Sequence, residues 1–213
     1  MTTVYQSPLE ACCVTKATDK LSSTPATELV LLENQQVLEK VSDLAVARLI
    51  EEIATAFRVF VVGEDHRSLA LHLVAMRLVD LGCQVYIVGE MSTSVIGAGD
   101  LLIACSNSRS VNNVCVLVER ARKAGARIVS VTTQANSTLG QMSHVALKLA
   151  IAELGHSQEQ SQQIANFLFE QSTLLLFNTL FHGLTQNLHS SAEILALRLR
   201  EKVSLETSPS SFE

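Results

Sequence analysis

Tryptophan is absent from this chain, and aromatic residues make up only 4% of its 213 positions. That scarcity argues against a platform for stacking nucleic-acid bases. Charged residues are also sparse, at 17% with a net charge of -5, and no long run of lysine or arginine occurs. A nucleic-acid surface is therefore not expected. The cysteines Cys12, Cys13, Cys83, Cys105 and Cys115 are odd in number and show no Cys-x-x-Cys spacing. A disulfide framework or a zinc site calls for more regular spacing, so a reducing compartment and no bound metal are expected. No basic cluster followed by an apolar run opens the chain, so no signal peptide is expected. The greasiest later stretch, Leu174 to Phe177, lies among Asn166, Glu170, Gln171 and Asn178. It is too short and too interrupted to span a bilayer. These absences point to the cytoplasm, with neither membrane nor nucleic acid as partner. A Gly-x-Gly-x-x-Gly run and a phosphate-loop lysine are missing too, which argues against a nucleotide-binding domain.

What is present is apolar material, at 47% of residues, enough for one sizeable core. Residues 1–24 are rich in Ser and Thr without a sustained period and read as a poorly ordered lead. Val30, Leu31, Val37 and Leu38 then recur at helical spacing from Pro25 to about Glu39. Ser42 caps a second helix whose expected apolar face is Leu44, Ala45, Leu49, Ile50 and Ile53. Strands are expected at 58–63, 84–88, 100–105, 127–132 and 145–149, with helices over 68–81 and 111–123 closed by Gly82 and Gly125. Alternating strands and helices of this length imply an α/β fold with a parallel sheet covered on both faces. A long helix follows over about 160–187, apolar on most sides, and a last one from Ser190 or Ser191 to about Lys202. Residues 25–206 thus read as one domain with flanking helices, and 207–213 as a frayed tail.

In an open parallel sheet, ligands bind beyond the carboxyl ends of the strands. Three loops lie there: Glu64 to Ser68, Ser106 to Ser110 and Thr133 to Thr138. The middle one, Ser106-Asn107-Ser108-Arg109-Ser110, leads into a helix. Free N–H groups at a helix start, with hydroxyl donors beside them, make a phosphate cradle. The same residues also make ordinary helix caps, and both readings stand on local sequence.

The segment Gly89 to Ile103 (GEMSTSVIGAGDLLI) resembles the strand–loop–strand of bacterial and archaeal 6-phospho-3-hexuloisomerases. Ala75-Met76-Arg77-Leu78 with Leu81-Gly82, Asn136-Ser137-Thr138-Leu139 and Phe169-Glu170-Gln171 are similar to the same family, over about Val37 to Glu206. The resemblance implies a SIS domain: a three-layer α/β/α, flavodoxin-like fold on a five-stranded parallel sheet. The departures fall in the loops. The family's Gly-x-Gly-Arg-Ser-Gly stands here as Gly63-Glu64-Asp65-His66-Arg67-Ser68, and its Ser-Gly-Ser-Gly-Glu-Thr as Ser106-Asn107-Ser108-Arg109-Ser110-Val111. The family's terminal His corresponds to Lys202.

The resemblance implies that Ser106 and Ser108 hold a sugar phosphate, with Ser137 and Thr138 contributing from the third loop; Asn107, Arg109 and Ser110, which depart from the family, are further candidates in the same loop. Helix capping is the structural alternative for each hydroxyl. Arg109 stands where the family has glycine and could fork onto phosphate oxygens or point to solvent. Arg67 could add charge to the same phosphate, and Thr93 could line the site or stabilise its own turn. Glu170, within an apolar helix, is the expected base: a partly buried carboxylate has a raised pKa suited to taking a proton beside a carbonyl. An interface Glu paired with Arg is its alternative. His66 or Lys202 could move the oxygen-bound proton, or both could be solvent-facing. Cys105 reads as a small hydrophobe at a strand end rather than a nucleophile. The implied activity is a sugar-phosphate isomerisation, 3-hexulose 6-phosphate to fructose 6-phosphate through an enediol, requiring no cofactor and no metal. A homodimer or homotetramer is implied as well. The alternative is a non-catalytic sugar-phosphate-binding SIS module acting as a sensor or regulator.

Overall fold

The computed structural model describes residues 23–63, 69–90, 93–107, 113–151 and 161–186. The expected lead and tail, the last helix, and the candidates His66, Arg67, Ser108, Arg109, Ser110 and Lys202 lie outside these residues, the first helix starting at Ser23. Chain order is α1 (Ser23–Leu38), α2 (Asp43–Thr55), β1 (Val59–Gly63), α3 (Leu69–Asp80), β2 (Val85–Ile87), β3 (Leu101–Ser106), α4 (Asn113–Lys123), β4 (Arg127–Thr132), α5 (Thr138–Met142), β5 (Val145–Lys148) and α6 (Ser161–Gln186). The five strands form one sheet in the order β2-β1-β3-β4-β5, and every neighbouring pair is parallel.

This order decides which face of the sheet each connecting helix covers. β1 connects through α3 to its neighbour on one side, whereas β3 connects through α4 to its neighbour on the other. Right-handed crossovers running in opposite directions leave their helices on opposite faces of the sheet. The buried residues divide accordingly. One core joins Val59, Val61, Leu101, Ile103, Val129 and Val131 to Leu49 and Ile53 of α2, Val74 and Leu78 of α3, and Leu176, Phe177 and Leu180 of α6. The other joins Phe60, Leu102, Ala104 and Ile128 to Val114, Cys115, Val118 and Ala121 of α4 and to Leu139 of α5. Alternate strand residues therefore face alternate cores, and the central strands are apolar throughout because both their faces are covered.

Gly82 and Gly125 adopt φ of 86° and 88° just past α3 and α4. The left-handed region is strained for residues with a Cβ, which is why glycine stops these helices. Ser42 caps α2 by accepting from the Ala45 N–H. The expected apolar face of α2 needs one correction: Leu44 is exposed. The buried stripe runs through Leu49, Glu52 and Ile53, and Leu44 lies about 100° of helical turn before Ala45, outside that stripe. α6 buries one side only: Leu168, Phe169, Ser172, Thr173, Leu176 and Phe177 are buried, while Phe167 and Leu175 are exposed. No described helix is long and apolar enough to cross a membrane.

Candidate functional site

The strand order reverses between β1 and β3, and their carboxyl ends open the crevice where a doubly wound sheet binds ligands. Register fixes what stands there. Gly63 is level with Cys105, Ser106 with Thr132, and Thr132 with Lys148. Ser106 is buried, 1% exposed, continuing the alternation that sends Leu102 and Ala104 toward α4. Asn107, the next residue, is half-buried. Its carbonyl accepts from the Thr133 hydroxyl at 3.3 Å, which ties the start of the β3 loop to the start of the β4 loop.

The third loop is built on hydroxyls. The Ser137 hydroxyl accepts from the Gly140 N–H at 3.2 Å and so caps α5. It also lies 3.1 Å from the Thr132 hydroxyl, and both groups are buried. Thr138 begins α5 and is half-buried. The sequence offers Thr132 and Thr133 only as the strand end and the loop start, not as site residues. The signal was two consecutive hydroxyls at the end of an otherwise apolar strand.

Thr93 realises the turn-stabilising alternative. Its hydroxyl donates to the Ile87 carbonyl at 2.6 Å and its N–H to the Glu90 carbonyl at 3.1 Å. Glu90 in turn lies 3.5 Å from His72 of α3, an exposed pair at the β2 rim of the crevice. Such a pair adds little stability.

Glu170 requires a correction. The sequence places it in a partly buried setting, but within one chain it is exposed on α6. The buried stripe through Leu168, Phe169, Ser172 and Thr173 turns inward and carries Glu170 to the outer side. Its neighbour Gln171 accepts from the Asn34 amide of α1 at 3.0 Å. Cys105 is buried, and burial pushes its thiol up to about 12. A thiol so far from ionisation is a packing group, not a nucleophile.

The opposite end of the sheet has a different character. Arg58, just before β1, makes two bonds to the buried Asp100, Nε to Oδ1 at 3.0 Å and Nη2 to Oδ2 at 2.6 Å. The same guanidinium donates to Ser94 Oγ and to the Val95 carbonyl, while Asp100 also accepts from the Gly97 N–H. The bonds to Asp100 raise the Arg58 pKa. A cleft of about 410 Å³ lies at this end too, where Arg48, Thr55 and His144 surround Arg127 and its partner Glu52. Arg127 opens β4 and Val145, also in the cleft wall, opens β5, so this cleft is remote from the strand carboxyl ends.

A parallel sheet with this strand order, a hydroxyl-rich carboxyl edge and a long closing helix defines a SIS-type α/β domain. Residues 52–183 match the SIS domain family, and the chain belongs to it. Among its relatives, a 3-hexulose-6-phosphate isomerase of Mycobacterium gastri is 35% identical over 171 residues, which span 80% of this chain and 86% of that protein. A solved Methanococcus jannaschii protein, whose structure was taken to infer a 3-hexulose-6-phosphate isomerase function, superposes with a TM-score of 0.65 at 21% identity over 82% of this chain and 97% of its own. The Vibrio vulnificus NanR protein, solved in complex with ManNAc-6P, gives a TM-score of 0.66 at 21% identity over 90% of this chain and 71% of its own. The last two likenesses establish the fold.

Proposed function

We propose that the chain is a sugar-phosphate isomerase converting 3-hexulose 6-phosphate to fructose 6-phosphate. The observation that carries this is the similarity to the Mycobacterium gastri isomerase along most of both chains. The phosphate sits at the β3 end, on Ser106, Asn107, Ser108, Arg109 and Ser110, with Arg67 adding charge and Ser137 and Thr138 supporting from the third loop. Thr133 holds this region together through the Asn107 carbonyl. Thr93 shapes its side wall.

In the reaction, a base removes the proton from C2 of the 3-ketose. The electron pair forms the C2–C3 enediol, and the same base returns a proton to C3 while the oxygen-bound proton moves from O2 to O3. Glu170 is assigned as that base, and His66 or Lys202 carries the oxygen-bound proton. Because Glu170 is exposed in one chain, its desolvation comes from a second copy. Exposed Leu29, Leu31 and Leu32 of α1, Leu73, Met76 and Val79 of α3, and Phe167 and Leu175 of α6 support a homodimer or homotetramer. The compartment proposed is the cytoplasm.

A second reading, a sugar-phosphate sensor without catalysis, is favoured by two departures from the family pattern: 106–111 keeps Ser106 and Ser108 but loses the glycines, the Glu and the Thr, and 63–68 restores the Arg-Ser pair, as Arg67-Ser68, only by slipping one residue. The deciding experiment is a coupled assay for fructose 6-phosphate from 3-hexulose 6-phosphate, beside thermal-shift binding of sugar phosphates. Turnover carries the isomerase. Binding without turnover, in the oligomer, carries the sensor.

A further inference from the structure

Asn34 lies in the middle of α1 and is 3% exposed. A buried primary amide in a helix–helix contact is costly unless its groups are paired. Here they are paired, once within α1 and twice across the interface. One Nδ2 hydrogen goes to the Val30 carbonyl at 2.9 Å, and the other to Gln171 Oε1 at 3.0 Å. Oδ1 accepts from the Ser172 hydroxyl at 2.9 Å, and Ser172 is fully buried. One side chain thus grips two successive residues of α6. Successive residues point about 100° apart around a helix, so holding both sets the rotation of α6 about its own axis. Apolar packing of Leu168, Phe169, Leu176 and Phe177 does not by itself demand one rotation, because apolar contact is non-directional. A buried polar pairing does, in the way a single buried Asn selects register in helical assemblies.

Glu170 immediately precedes the two gripped residues. We propose that Asn34 is a positioning residue of the isomerase site, fixing the rotation of α6 and hence the place of the Glu170 carboxylate. This rests on the isomerase reading above. It makes α1, which precedes the segment matched by the family, a working part of the site rather than an appended helix. Gln171 and Ser172 transmit the constraint, and no contact between Asn34 and substrate is required.

The test compares full-length Asn34→Leu and Ser172→Ala with the unsubstituted chain, and uses Leu180→Ala as a control. Leu180 is buried on the same helix, 10 positions from Glu170. Its truncation loosens α6 without touching the polar grip. Misplacing a catalytic group by about an ångström costs up to about a hundredfold, so Asn34→Leu should lower kcat about tenfold to a hundredfold with KM within about twofold. Ser172→Ala removes one of the bonds and should lower kcat less, and it serves alone should Asn34→Leu fail to fold. Leu180→Ala should lower the unfolding temperature and keep kcat. Unchanged kcat in Ser172→Ala together with Asn34→Leu, or an equal fall in Leu180→Ala, overturns the proposal. Absence of turnover in the unsubstituted chain is a separate result: it removes the isomerase reading and the catalytic role of Asn34 with it.

Discussion

The two ends of the sheet solve different problems. At the amino end, the charged groups Arg58 and Asp100 are knotted to each other and to Ser94, Val95 and Gly97, in a bidentate geometry that fixes β1 against β3. At the carboxyl end, the buried or half-buried groups around β3 and β4 include the short hydroxyls Ser106, Thr132, Thr133 and Ser137, of which Thr133 and Ser137 bond within or between loops. Charged pairing lies at one end, and the chemistry proposed above is assigned to the other, where an open parallel sheet places its ligands.

Substitutions sharpen or break that division. The largest effect belongs to Glu170→Gln, which should lower turnover by about 10²–10⁴-fold while leaving sugar-phosphate binding and the unfolding temperature near their starting values. Loss of binding instead would move Glu170 from proton transfer to ligand recognition. At the other end, Asp100→Ala strips the partner from Arg58 and leaves the Gly97 N–H unpaired. It should cost about 3 kcal/mol, read in urea unfolding, with kcat unchanged. A fall in kcat at a temperature where the variant is folded would show that the ends are not independent.

The buried thiol gives a pH test. Its folded pKa, about 12, lies above the ordinary thiol value, so its contribution is complete below the unfolded pKa and is lost as pH rises toward 12. Unfolding free energy should therefore decline above about pH 8.5, by up to about 1.4 kcal/mol per pH unit from this group. Cys105→Ala should remove that share of the slope, and iodoacetamide should spare Cys105 in the native chain at pH 8. The smallest effect is that of Ser137→Ala, about 1 kcal/mol for a lost cap. If phosphate affinity falls as well, its hydroxyl serves the ligand in addition to α5.

Much of the fold was legible because its causes are local. The apolar runs VFVV, LLIAC and IVSV read as buried strands, and Gly82 and Gly125 marked helix ends that the structure places at positive φ. The hydroxyls at 106 and 133–138 stand at strand ends, as the sequence pattern predicts. Other features were not legible, because they join residues far apart in the chain. Nothing near Arg58 announces Asp100 as its partner, and nothing near Asn34 announces Gln171 and Ser172. Glu170 is the instructive miss. Its apolar neighbours suggested burial, but which side of an apolar helix turns inward depends on what packs against it.

The sequence by itself determined the element order, the parallel sheet and the residue types at its carboxyl edge, since periodicity and turn chemistry act over a few residues. The strand order, the clamp at the amino end, the pairing of Ser137 with Thr132 and the outward face of Glu170 were decided only by tertiary structure. Each depends on directional contacts between segments that chain order leaves apart, and those contacts exist only once the helices have closed over the sheet.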